Sequence, residues 1–127
     1  MKYIKLFESF DDELFFDDMS KEELRNRIND ALVDIIPDFY IDIKFDDVII
    51  DVRIRRDNFR WFKITDIIES IQVLEDYICE FFPDIKVEYE INGHLYKDIY
   101  NDPNVLNKET INSLDLIFKK DYSRWVN

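Results

Sequence analysis

The sequence predicts an α+β fold: a two-layer αββαββ sandwich, with two helices on one face of an antiparallel sheet and an extra C-terminal strand or helix. Three observations predict it. Two stretches, beginning near Ser20 and near Thr65 or Asp66, carry apolar residues at helical spacing, and Pro37 and Pro83 stop them. Each is followed by segments in which apolar and polar residues alternate, the mark of a strand with one buried face. The pieces also repeat. Helix, Ile35-Ile36-Pro37-Asp38 and strand correspond to helix, Phe81-Phe82-Pro83-Asp84 and strand, as a duplicated helix–hairpin unit would leave them.

The elements follow in order. Residues 1–19 form an acidic amphipathic leader, in which Tyr3, Leu6, Phe7, Phe10 and Leu14 keep helical spacing. Ser20 opens the first helix: Ser20 and Glu23 make a capping box, Met19 and Leu24 a hydrophobic staple. Leu24, Ile28, Ala31, Leu32 and Ile35 form its apolar stripe, and the helix runs to Pro37. Phe39, Ile41, Ile43 and Phe45 then alternate with polar residues, as do Val48, Ile50, Val52 and Ile54. A two-residue turn at Asp46-Asp47 would pair Phe45 with Val48 and Ile43 with Ile50, placing Asp42 opposite Asp51.

In the second helix Asp66 and Glu69 keep cap spacing, and Ile67, Ile71, Leu74, Ile78 and Phe81 line the buried face. Asn92-Gly93 suits a type I′ turn, which needs positive φ at both positions. It pairs Tyr89 with Tyr96 and Glu88 with Lys97. Asp102-Pro103 starts a helical turn. The last segment fits a helix through Ile111, Leu114, Phe118, Tyr122 and Trp125, and equally a strand through Leu114, Leu116 and Phe118. Its richness in sheet formers favours a strand at about 114–119.

Composition narrows function. The chain has 127 residues and a net charge of −12, with one Gly, one Cys and one His. A single domain over 20–127, preceded by the leader 1–19, suits that length. Gly93 alone cannot build a Walker loop, a dinucleotide-binding fingerprint or a nucleophile elbow, each of which needs several glycines. Cys79 and His94 cannot assemble a Cys/His zinc site, and no intrachain disulfide can form. No apolar run approaches the roughly 18 residues of a membrane span, so no membrane association is expected. So acidic a chain is a poor direct binder of nucleic acid, whose phosphates supply most of the affinity for proteins. No cofactor is expected. The charge is uneven: residues 1–19 and 63–82 each sum to about −4, while 53–63 are locally basic.

Few residues are placed to carry chemistry. Asp42 and Asp51, opposed on the polar face of the first hairpin, would repel one another. Lys44, Arg53 and Arg55 nearby can offset that repulsion, and a cation such as magnesium or a basic partner is the sharper alternative. Arg53, Arg55, Arg56 and Arg60, with Phe59, Trp61 and Phe62, mix arginine and aromatics as phosphate- or base-binding surfaces do. The plainer reading is preferred: Arg53 and Arg55 face out from a strand beside acidic neighbours, and Trp61 covers the core edge. Cys79 and His94 are the one nucleophile–base combination, and nothing in the sequence brings them together.

The first ten residues, MKYIKLFESF, resemble the short leaders on many small proteins of T4-like tailed phages. In that family such leaders can direct proteins into the prohead, where a maturation protease cuts after a hydrophobic-x-Glu motif. Leu6-Phe7-Glu8 matches the motif, and the resemblance implies a cut after Glu8, with Leu6, Phe7, Glu8 and Phe10 carrying targeting. The resulting expectation is a non-enzymatic phage-encoded protein, virion-associated or assembly-related, acting through contacts with capsid or host protein in the virion or host cytoplasm. An acidic inhibitor of a host protein, or a DNA mimic, is the first alternative, and a small metal-dependent enzyme using Asp42 and Asp51 the second. Open sheet edges make an oligomer a further expectation.

Overall fold

A computed structural model describes residues 21–36, 38–46, 49–82 and 84–120. The leader with Leu6, Phe7, Glu8 and Phe10, the Ser20 cap, the prolines Pro37 and Pro83, and residues 121–127 lie outside the described residues. The element order is α1 (Lys21–Ala31), β1 (Phe39–Phe45), β2 (Ile49–Arg56), α2 (Ile68–Phe81), β3 (Ile85–Ile91), β4 (His94–Tyr96), α3 (Pro103–Leu106) and β5 (Leu114–Lys120). The fold is α+β, and the five strands form one sheet in the order β1-β2-β5-β3-β4, antiparallel at every pairing. Among the described residues, no helix is long and apolar enough to cross a membrane.

The C-terminal segment is a strand, and it is the central one. β5 lies between the two hairpins, setting Phe118 between Ile50 and Val87 and Leu116 between Val52 and Tyr89. Its alternation sets the face: Leu114, Leu116 and Phe118 are fully buried on one side of the sheet. They join Leu24, Ile28, Ile71, Leu74 and Ile78 from the helices in a single apolar cluster.

The first hairpin differs from expectation by two residues. Phe45 pairs with Ile50, Ile43 with Val52 and Ile41 with Ile54, so Arg53, not Asp51, lies opposite Asp42. The Asp46 N–H donates to the Ile49 carbonyl at 2.8 Å, which closes a longer connection than Asp46-Asp47 alone. A shift of two keeps every side chain on its face, so the alternation in the sequence is equally satisfied by both registers. The second hairpin matches expectation: Asn92 (φ 52°) and Gly93 (φ 85°) both take positive φ, and Tyr89 pairs with Tyr96. β4 ends at Tyr96, so the expected Glu88–Lys97 pair is absent from the ladder, and Glu88 pairs with Ile117 of β5 instead. Asn92 has a second task. Its side-chain oxygen accepts from the Asn112 N–H at 2.8 Å and its amide donates to the Thr110 carbonyl at 2.9 Å, which anchors the turn to the segment leading into β5.

The helices are shorter than expected. After Ala31 the backbone bonds tighten, Val33 to Asp30 at 3.3 Å and Ile35 to Leu32 at 3.0 Å, and the chain turns to bury Leu32 and Ile35 without further helix. β-Branched Val33, Ile35 and Ile36 make this a weak helix segment. Before α2, a 3-10 turn at Ile64–Asp66 intervenes, and the Asp66 carboxylate accepts from the Lys63 N–H at 3.2 Å, closing that turn rather than capping the helix. Ile67, Ile71, Leu74 and Ile78 are buried as expected. Phe81 is not; Phe82 takes the inward place while Phe81 packs beside Tyr77, with ring centroids 5.0 Å apart. Asp102 caps α3 by accepting from the Asn104 N–H at 3.0 Å, with Pro103 at its first position.

At the outer edge of β1, Arg25 donates to the Ile43 carbonyl at 3.1 Å and lies over the Phe45 ring at 5.1 Å. At the other edge, β4 is three residues long. A blocked carbonyl and a short strand both reduce the template that a sheet edge offers to another chain.

Candidate functional site

The polar face of the sheet carries cross-strand rows of mixed charge. The cross-strand rows run Asp42, Arg53, Asp115, Glu90 and Lys44, Asp51, Ile117, Glu88. Arg53 holds Asp115 with both prongs of its guanidinium, Nε to Oδ1 at 2.9 Å and a terminal nitrogen to Oδ2 at 3.2 Å. Asp115 is 5% exposed. Lys119 pairs with Glu88 and holds its carboxyl below the usual range. The magnesium-type pair expected from Asp42 and Asp51 is therefore not assembled, because Arg53 stands where Asp51 was expected. Among the described residues, no three His, Cys, Asp or Glu side chains group so as to hold a metal ion.

Asp51 lies next to Asp115 instead. Burial first, then the Asp115 charge, push its carboxyl from 3.8 to about 6, and its Oδ1 is buried with no hydrogen-bond partner among the described residues. A carboxyl whose native pKa is raised binds its proton more tightly folded than unfolded. Its ionisation therefore costs nothing below about pH 4, and the full cost is present above about pH 6. Asp51→Asn is expected to raise stability by about 1 kcal/mol at pH 8, the shift being discounted for screening at a half-exposed site. It should change little at pH 4, as urea unfolding at the two pH values will show.

The arginine–aromatic run does not converge. Arg53 and Arg55 project from the polar face, Arg55 lying over the Tyr40 ring at 5.0 Å. Arg56 turns to the other face and lies over Phe39 at 5.7 Å, while Arg60 donates to the nearby Asp57 carbonyl at 3.4 Å. Trp61 does not cover the core edge; it is 62% exposed, while Phe62 beside it is buried edge-to-face against Phe39. Cys79 lies on α2 and His94 at the start of β4, both exposed. Partial burial, Glu75 and Asp76 raise the thiol pKa, the opposite of nucleophile activation.

Glu75 is not among the residues singled out from the sequence. It lies on α2, accepts from the Tyr89 hydroxyl at 2.8 Å on each oxygen, and accepts from the Tyr100 hydroxyl at 2.6 Å. Burial raises its pKa, and the two hydroxyls offset part of that rise. The signal was present: Glu75 stands four residues after Ile71, on the shoulder of the buried stripe, where an acid needs donors. The cluster ties α2 to β3 and to the 97–101 loop. Glu75→Ala leaves two tyrosine hydroxyls without their acceptor and is expected to cost about 1–3 kcal/mol in thermal or urea unfolding.

The helices frame a hollow of the surface. A cleft of about 490 Å³ is lined by Asp30, Asp34, Asp66 and Glu69, with Ala31, Val33, Ile35 and Val73 between them. It shares Asp30, Ala31 and Val73 with a neighbouring hollow of about 310 Å³ that reaches Arg27 and Tyr77. At its other end it shares Asp34, Ile35 and Asp66 with one of about 240 Å³ that reaches Asp38 and Arg56. Together they make a groove along the junction of α1 and α2. Val33 and Val73 are 58% and 55% exposed. Asp30, Asp34 and Glu69 form no ion pair among the described residues. The cation at one end is engaged: Arg27 donates to the Tyr77 hydroxyl at 2.8 Å and to Glu23 at 3.3 Å. No protein-family model, curated protein or solved structure matches this chain.

Proposed function

We propose that this chain is a non-enzymatic phage-encoded protein, virion-associated or assembly-related, that works through protein–protein contacts. The partition of charge carries the protein-contact part of the reading. On the sheet's polar face Asp115 meets Arg53 and Glu88 meets Lys119, with Asp51 the exception. Along the junction of α1 and α2, Asp30, Asp34 and Glu69 stand beside exposed valines without such partners among the described residues. Uncompensated charge around exposed apolar side chains is the chemistry of a surface completed by another protein. The resemblance of residues 1–10 to phage leaders supports placement in the virion. Quantitative mass spectrometry of purified virions is the test. The protein is expected there in stoichiometric amount, and its restriction to the infected-cell lysate would overturn the virion placement.

A second reading, an acidic inhibitor of a host protein, is favoured by one observation: Glu69, Asp76 and Glu80 are all exposed along α2. An inhibitor that mimics DNA should displace DNA from the protein it binds. Failure to compete in a DNA-binding assay with that protein removes the mimic.

A further inference from the structure

We propose that the groove between α1 and α2 is a docking site for a cationic amphipathic helix of a partner protein, seated with its apolar stripe on Val73 and Ala31 and its lysines or arginines against Asp30, Asp34 and Glu69. The proposal rests on the protein-contact reading above and gives that surface a ligand.

Three features converge on this occupant. The groove has an apolar floor, and Val73 is more than half exposed on it although it lies on the helix with the deepest core stripe. A β-branched apolar residue at that place contributes nothing to the core and is suited to meet another apolar surface. While the cations Arg27 and Arg56 stand at the groove's two ends, the flanking charge along its central hollow is all acidic and is supplied from both sides of the junction, by Asp30 and Asp34 and by Glu69, with no ion pair among the described residues. Its complement is a cation, and the floor excludes a purely polar one. The geometry is periodic: Glu69, Val73 and Tyr77 follow one another at one-turn intervals along α2, a length of about 12 Å. That row matches side chains spaced i, i+4 and i+8 on a bound helix, the spacing by which helices are read in grooves. The shortness of the contact fits a micromolar complex rather than a permanent one.

The test uses the full chain and a synthetic helix of leucines and lysines at amphipathic spacing, with an all-lysine peptide of equal charge as control. Affinities are measured by calorimetry at physiological ionic strength, where long-range attraction between exposed charges is largely screened. The leucine–lysine helix is expected to bind at least about tenfold more tightly than the control, because the floor as well as the rim is engaged. Val73→Asp is expected to weaken it about tenfold, although the substitution makes the protein more negative. Both Val73 and Asp34 are exposed, so neither substitution threatens the fold. Asp34→Lys should weaken binding by a similar factor, and Asp42→Asn on the sheet face should leave it unchanged. Equal binding of the all-lysine peptide, or undiminished binding to Val73→Asp, would overturn the groove. The two levels separate cleanly. Presence in virions with silent groove variants removes the groove alone, whereas groove binding with absence from virions removes the virion placement alone.

Discussion

Phe118→Ala is expected to destabilise the fold by about 3–5 kcal/mol, the largest effect of any single truncation proposed for this chain. Phe118 is the largest fully buried side chain among the described residues and sits on the central strand, between Ile50 of β2 and Val87 of β3. Truncation removes its transfer free energy and leaves a cavity at the seam where both hairpins meet. Neither neighbour can collapse into the space without breaking its own ladder with β5. Urea unfolding should show a lower midpoint with an unchanged slope, because the surface exposed on unfolding is nearly the same. A loss below about 1 kcal/mol would mean that this segment is peripheral, contrary to the strand order described above.

Arg53→Ala is expected to cost about 2–4 kcal/mol. Asp115 is buried and both its oxygens are held by the Arg53 guanidinium. Removing the cation leaves a buried carboxylate beside Asp51, which is more damaging than losing the pair as a whole. The lower part of the usual range for such losses applies because Arg53 is itself half exposed and water can enter in its place. The cost has a direction in pH. The Arg53 charge lowers the raised Asp51 pKa, so without it Asp51 holds its proton to still higher pH in the folded state, and the deficit should be greater at pH 8 than at pH 5. Replacing both partners, Arg53→Met with Asp115→Leu, should recover most of the loss, since two apolar side chains of similar volume leave no orphaned charge. A deficit that is independent of pH, or that persists in the double variant, would show that Arg53 acts through packing alone.

What the residues revealed in advance depended on how local each signal was. Asn92-Gly93 fixes a hairpin because the type I′ turn sets loop length and register together, and Tyr89 meets Tyr96 as expected. Asp46-Asp47 carries no such demand. The alternation from Phe39 to Ile54 sets only which face each residue occupies, so the ladder could differ by two residues with no change of face. That difference removed the direct Asp42–Asp51 pair from which the metal-site alternative was argued. Leu114 to Phe118 read as a strand from propensity, but its central position could not be read. A strand's neighbours are chosen by non-local pairing, and Leu116 carries no mark that it will lie between Val52 and Tyr89. Glu75 was legible in principle, as an acid on the shoulder of an apolar stripe, but its donors Tyr89 and Tyr100 come from distant segments. The groove was hidden for the same reason. Asp34 and Glu69 lie on different elements, and only the packing of α1 beside α2 makes them two sides of one hollow.

The central claim is that the working surface lies on the helices and not on the mixed-charge face of the sheet. Amide chemical-shift mapping of the full chain, titrated with the leucine–lysine helix, tests it most directly. The predicted result is a set of shifts confined to Ala31, Val33, Asp34, Glu69, Ser70, Val73 and Tyr77. Shifts centred on Arg53, Asp115, Ile117 and Lys119 would contradict it.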